Sequence, residues 1–183
     1  MRLRIAWTIL VLAVILIGIA VMRFNFTSLP APGGLETRLA NGAKRFFIGR
    51  ASHHGIPPGP QNKEASVETG STQYGLDCSV CHATDGHGQG TPGQWMYPRA
   101  SDLTSKRVQS YSDEELYWII QNGIRYTGMP AFGKTETPDH IWGLVNYVRT
   151  LPGQLRSENS IRDSYRAQRV RFDPAQEQDV ARR

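Results

Sequence analysis

Apolar residues are unevenly spread along this chain. Ile5 to Met22, IAWTILVLAVILIGIAVM, is a run of 18 residues without a charge. As a helix rising ~1.5 Å per residue it covers about 27 Å, close to the apolar thickness of a bilayer. Beyond it the pattern becomes helical. Residues 35–52 put Leu35, Leu39, Ala43, Phe46 and Phe47 near one face, although Gly42 and Gly49 weaken a helix there. Residues 63–77 repeat Val67, Gly70, Tyr74 and Asp77 at spacings of three and four, and Gly70 would let another helix come close. Ser112-x-x-Glu115 is a capping box that opens a helix with Leu116, Ile119 and Ile120 as its stripe, ending at Asn122-Gly123. The last predicted helix has Thr137 as cap and Pro138 at its first position. Ile141, Trp142, Leu144, Val145, Tyr147, Val148 and Leu151 fill its apolar side, and Pro152-Gly153 is expected to stop it. No segment alternates with the period of two that a half-buried strand shows. The expected fold class is therefore all-α.

These elements divide the chain into four parts. Residues 1–23 are read as a transmembrane anchor. Arg2 and Arg4 before the apolar run favour the N-terminus in the cytoplasm and the rest outside. A cleaved signal peptide is the rival, but its apolar region is usually about 7–15 residues and ends in a small-x-small site. Val21-Met22-Arg23-Phe24 offers none. A buried core helix is the third reading. Residues 24–62 are a tether (FNFTSLPAPGG), then the 35–52 helix, then a loop (HHGIPPGPQN) that its prolines and glycines keep from being helical. That juxtamembrane helix is read as packing on the domain, with a docking surface for a partner as the sharper alternative. Residues 63–153 form the folded domain. Residues 154–183 are a polar, Arg-rich tail, disordered or loosely helical.

The net charge of +5 is carried by the ends. Residues 1–61 hold seven Lys/Arg against one acid, whereas residues 62–153 hold seven against ten. A nucleic-acid binder needs its basic patch on the folded domain, so that class is set aside. No Ser/His/Asp, paired-carboxylate or phosphate-loop arrangement stands out either.

Chemistry concentrates in Cys78-Ser79-Val80-Cys81-His82, which contains both cysteines of the chain. Cys-x-x-Cys-His is a haem-attachment signature. Two thiols three residues apart on a helical turn lie on one side and can add to the two vinyl groups at one porphyrin edge. The adjacent His82 can then reach the iron. A thioredoxin-like pair would need a βαβ context, and a structural zinc site would need a fourth ligand beyond Cys78, Cys81 and His82, with His87 the nearest. Met129 lies 47 residues after His82, in the Gly-rich loop NGIRYTGMPAF. Thioether sulfur is a soft, neutral ligand, and a His/Met pair raises a haem's reduction potential. Core filler is the plain alternative for a methionine, but Met129 is not on a helix stripe.

Residues 70–151 resemble the class I, mono-haem cytochromes c. The resemblance is carried by Gly70-x-x-x-Tyr74, CSVCH at 78–82, DGHGQG at 85–90, Asp102-Leu103, NGI at 122–124, GMPAF at 128–132 and WGLVNYVRTL at 142–151. It implies a cytochrome c-like helical domain with covalent haem c, held by Cys78 and Cys81 and ligated by His82 and Met129. It implies that the first and last domain helices cross near Gly70/Tyr74 and Tyr147. It also implies a proline carbonyl supporting the proximal histidine, from Pro92 or Pro98. His53 and His54 read as solvated loop histidines, His87 as exposed, and His140 as lying on the polar side of the last helix. Met96 is a minor alternative as axial ligand. Trp95, Tyr97 and Arg99 are candidates for the haem edge, Arg99 near a propionate.

The expected function is a membrane-anchored carrier of single electrons, without bond-making chemistry of its own. It is placed in the bacterial inner membrane with its haem domain on the periplasmic side. The expected partners are redox proteins: a donor dehydrogenase or quinol-oxidising complex, and an acceptor oxidase or cytochrome. A peroxidase-type or gas-reducing enzyme and a haem-based sensor are the rival classes.

Overall fold

A computed structural model describes residues 2–22 and 32–171. Most of the expected tether, and residues 172–183 of the tail, lie outside these. The chain divides into two compact units, Met1–Pro30 and Ala31–Arg183.

The first unit is helix α1 (Arg2–Met22). Within it Arg4–Met22 is long and apolar enough to cross a membrane. The hydroxyl of Thr8 donates to the carbonyls of Arg4 and Ile5, so this polar group is satisfied within the helix.

The second unit is helical, with no strand among the described residues, as the pattern predicts. Its elements are α2 (Gly34–Ala51), α3 (Lys63–Gln73), a π-helical turn (Tyr74–Cys78), α4 (Ser79–His82) and α5 (Thr91–Trp95). Then come α6 (Lys106–Gln109), α7 (Asp113–Asn122), a 3-10 turn (Phe132–Lys134) and α8 (Pro138–Arg171). Both bonds of the capping box form at the start of α7. Ser112 Oγ accepts from Glu115 N at 3.1 Å, and Glu115 Oε2 accepts from Ser112 N at 2.7 Å.

The crossing of α3 and α8 organises the unit. Ser66, Gly70 and Tyr74, four residues apart, form the buried stripe of α3 and its extension. A Cβ on Gly70 would lie 1.9 Å from the carbonyl oxygen of Gly143, so the helices meet backbone to backbone. On either side, Asn146 Nδ2 donates to Ser66 Oγ at 2.9 Å, and the Tyr74 and Tyr147 rings lie 5.1 Å apart. The core continues from α8 into α7, where Tyr117 stacks at 4.9 Å on Trp142. Trp142 Nε1 donates to Pro57 O at 3.1 Å, which ties the 53–62 loop to α8.

Two expectations are corrected. Pro152-Gly153 does not stop the last helix, which runs on to Arg171. Proline lacks the N–H that would bond the carbonyl four residues back. That carbonyl, Val148 O, instead accepts from Gln109 Nε2 at 3.1 Å, so the missing helix bond is replaced from α6. The second concerns α2, which packs on the domain with its other face. Leu35, Leu39, Phe46 and Phe47 are exposed, and Ile48 is the buried apolar side chain. Arg45 holds that inward face, donating to Ser110 Oγ and O and lying 4.5 Å over the Tyr111 ring.

Gly70→Ala is expected to cost about 3 kcal/mol or more, because backbone rather than a yielding side chain occupies the space. Gly42→Ala, with nothing within 4 Å of its Cβ, is expected to gain roughly 0.5–1 kcal/mol as a helix-interior glycine replacement. Denaturant midpoints of the two variants check this pair.

Candidate functional site

The Cys78–His82 turn is held from three directions. The π turn delivers it from α3, and Tyr74, buried in that turn, donates its hydroxyl to Ala83 O at 2.7 Å. Ala83 adopts φ 60°, which ends α4 immediately after His82. The Gly-rich stretch then folds back. Gly88 N donates to His82 O at 2.8 Å and Gly90 N to Cys81 O at 3.2 Å, capping carbonyls that α4 leaves free. This approach leaves no room for side chains. A Cβ on Gly90 would lie 2.2 Å from Val80 O, and one on Gly93 would lie 2.1 Å from Cys81 O.

The proximal support is not a proline carbonyl. His82 Nδ1 lies 2.9 Å from Ser101 O. A carbonyl only accepts, so Nδ1 carries the proton and Nε2 keeps its lone pair for a metal. Burial lowers the His82 pKa, and the Ser101 bond opposes this in part. Burial favours the neutral ring, and the Ser101 carbonyl fixes its tautomer. Ser101 is itself placed by its neighbours. Leu103 N donates to Gly86 O at 2.7 Å, and Asp102 Oδ1 accepts from Thr104 N at 2.8 Å. Burial pushes the Asp102 carboxyl up, but the Thr104 hydrogen bonds and His87, 3.4 Å away, hold it below the usual range.

Burial, reinforced by Asp77, Cys81 and Glu136, pushes the Cys78 thiol up to about 12. A redox-active cysteine needs the opposite shift, toward thiolate. Among the described residues no three His, Cys, Asp or Glu side chains converge on a metal position. His87 faces Asp102 instead of the thiols.

All four predicted site residues line one cavity of 390 Å³: Cys78, Cys81, His82 and Met129. Its walls are largely apolar and shared with the core, including Tyr74, Leu116, Ile120, Leu144 and Val148. The Met129 loop is closed by its own backbone, with Ile124 N donating to Met129 O at 3.3 Å and Met129 N to Thr127 Oγ1 at 3.2 Å. Met96 lines the same cavity and packs on Gly128, where a Cβ would lie 2.2 Å from its sulfur. Arg99 also lines it, whereas Trp95 is exposed and Tyr97 donates to Glu36 at 2.6 Å. His53 and His54 are exposed, and His140 Nδ1 meets Glu136 at 2.9 Å. Sequence reasoning missed Lys44, Ile48 and Arg107 as lining residues. Lys44 and Ile48 share an inward face that its apolar stripe does not mark.

A helical domain with paired thiols, an imidazole with Nε2 free, and a largely apolar cavity suits a porphyrin attached through thioether bonds. Residues 65–148 match the family model described as cytochrome C oxidase, cbb3-type, subunit III. Over these residues the chain has a cytochrome c domain, the kind of electron-transport module for which covalent haem c is implied. The chain is 30% identical over 119 residues to the cbb3-type cytochrome c oxidase subunit FixP of Bradyrhizobium sp. (strain ORS 278). That alignment covers 61% of this chain and 39% of the relative, so the chain spans well under half of that protein. Among solved structures, a chain of the reducing HAO-like protein complex of Kuenenia stuttgartiensis aligns with TM-score 0.49 and 24% identity. It covers 53% of this chain and 48% of that one.

Gly93→Ala is expected to abolish or strongly reduce covalent haem attachment, since the Cys81 carbonyl would have to move. Gly75→Ala, with open space at its Cβ, is expected to leave attachment intact. Haem staining of the denatured proteins reads both.

Proposed function

We propose that this chain is a membrane-anchored carrier of single electrons, with one haem c bound through Cys78 and Cys81 and ligated by His82 and Met129. The observation that carries this reading is the convergence of one thiol pair, one neutral imidazole and one soft thioether on a single apolar cavity. The haem supplies one-electron chemistry, its iron alternating between Fe(II) and Fe(III). The chain's residues do the rest. Ser101 orients His82, the Met129 loop supplies a neutral sulfur that favours Fe(II), and the apolar walls exclude water. Val80, between the cysteines, is exposed and also lines the cavity, which makes this edge the port for electrons.

Met96 is the second thioether to consider. It directly follows α5, which packs on α4, and its sulfur lies against Gly128, beside Met129. Met129 comes from the loop between α7 and α8, a different segment from the one that carries His82, and is the thioether that would complete the ligand pair. The partners are redox proteins. Similarity to an oxidase subunit favours a terminal oxidase as acceptor, with a dehydrogenase or quinol-oxidising complex as donor. The apolar α1 and the arginines before it support a single-pass anchor in a bacterial inner membrane, with the haem domain on the periplasmic side.

Met129→Ala is expected to shift the Fe(II)/Fe(III) balance at least tenfold toward Fe(III), about 59 mV for a one-electron couple. It should also make the reduced iron bind carbon monoxide. Met96→Ala should do neither, and the reverse pattern would reassign the sixth ligand. Replacing residues 1–30 by a cleavable export signal is expected to move the haem protein from the membrane to the soluble periplasmic fraction. A native protein already soluble there would mean that the segment is cleaved.

A further inference from the structure

Helix α2 precedes the residues matched by the family model, yet it forms part of the wall of the haem cavity. Its inward side presents Asn41, Lys44 and Ile48, spaced by three and four and so on one face. Ile48 is 3% exposed and lines the cavity beside Lys44. Tyr97 grips the start of the helix through Glu36, and Arg45 grips it farther along through Ser110. Asn41 Oδ1 accepts from Arg107 at 3.2 Å, so α2 also orients a cation of α6.

The charges of this wall do not balance within the protein. Lys44, Arg99 and Arg107 line the cavity, against one carboxylate, Asp77, which already accepts from Gln73. Among the described residues the ion pairs are His87–Asp102, His140–Glu136 and Arg149–Asp113, and none involves these three cations. Burial, then the repulsion of Arg107, lowers the Lys44 pKa. Like charges held together at a partly desolvated wall are unfavourable unless an anion lies between them. The cavity's formal excess is two positive charges, and a porphyrin of the haem type carries two propionates.

We propose that α2 closes the haem pocket, and that its Lys44, together with Arg107, binds the haem propionates. This rests on the haem reading above and adds a helix from outside the cytochrome c domain to the cofactor site. Lys44 and Arg107 are positioning residues. They hold the carboxylate edge while the thiols hold the vinyl edge, and their charge favours the reduced, less positive iron.

The test uses the full chain with haem attached, comparing the native protein with Lys44→Gln, Arg107→Gln, the double variant, Lys44→Arg and, as control, the exposed Arg50→Gln. Redox titration at low ionic strength is expected to show the double variant shifted tenfold or more toward Fe(III), about 59 mV for one electron. Each single glutamine variant should move part of the way, Lys44→Arg should restore the native value, and Arg50→Gln should not move it. Lysine acetylation read by mass spectrometry gives a measurement on the native protein that needs no variant. Lys44 should react at least tenfold more slowly than the exposed Lys63. Covalent haem with an unmoved potential in the double variant would overturn the proposal, as it would if the cations served an acidic partner protein instead. So would a Lys44 that reacts as fast as Lys63. A native chain that acquires no covalent haem would overturn the haem reading itself, and this proposal with it.

Discussion

Where Gly70 meets Gly143, two helix backbones touch with no side chain between them. Such an approach fixes the distance and angle of a crossing more tightly than interlocking side chains do, because neither backbone can yield. The rest of the domain is built outward from this point. Ser66 and Asn146 bond on one side of it, and Tyr74 and Tyr147 stack on the other. Tyr74 then reaches Ala83, so the crossing is linked by one side chain to the end of the Cys78–His82 turn. Leu144 and Val148, one residue and five residues past Gly143, are both core and cavity wall.

A second set of glycines does related work at the cofactor end. Gly88, Gly90 and Gly93 lie so close to backbone carbonyls that a methyl group would collide with them. This closeness lets Gly88 N and Gly90 N cap the carbonyls of His82 and Cys81. A short helix of four residues has little intrinsic stability. The turn bearing the thiols and the imidazole is therefore rigid because of what folds over it.

Features that act locally were readable in the sequence. The Cys78–His82 pentapeptide, the Ser112/Glu115 capping box and the cap-and-proline start at Pro138 depend on neighbours a few residues away. Gly70 was readable as a close-approach position by its place on a helical stripe. Other features depend on distant partners. The acceptor for His82 is a backbone carbonyl, which every residue carries, so nothing in the sequence distinguishes Ser101 from Pro92 or Pro98. Pro152 reads as a helix stop because its missing N–H is a local fact, whereas Gln109, which satisfies the stranded carbonyl, lies 39 residues from Val148. The inward face of α2 was hidden for another reason. Hydrophobic periodicity assumes that apolar residues face inward, but this helix turns Asn41, Lys44 and Arg45 toward the domain and leaves Leu35, Leu39, Phe46 and Phe47 outside.

The core and the cavity share their walls, and this joins folding to cofactor attachment. Leu116, Ile120, Leu144 and Val148 pack in the core and also face this space, so their apolar surface is fully covered only when the space is filled. A porphyrin that fills the space is then part of the core. A reversibly bound one would stabilise the fold only as far as its free concentration exceeds its dissociation constant. Two thioether bonds, as proposed above, would remove that dependence and make the filled core a property of the chain.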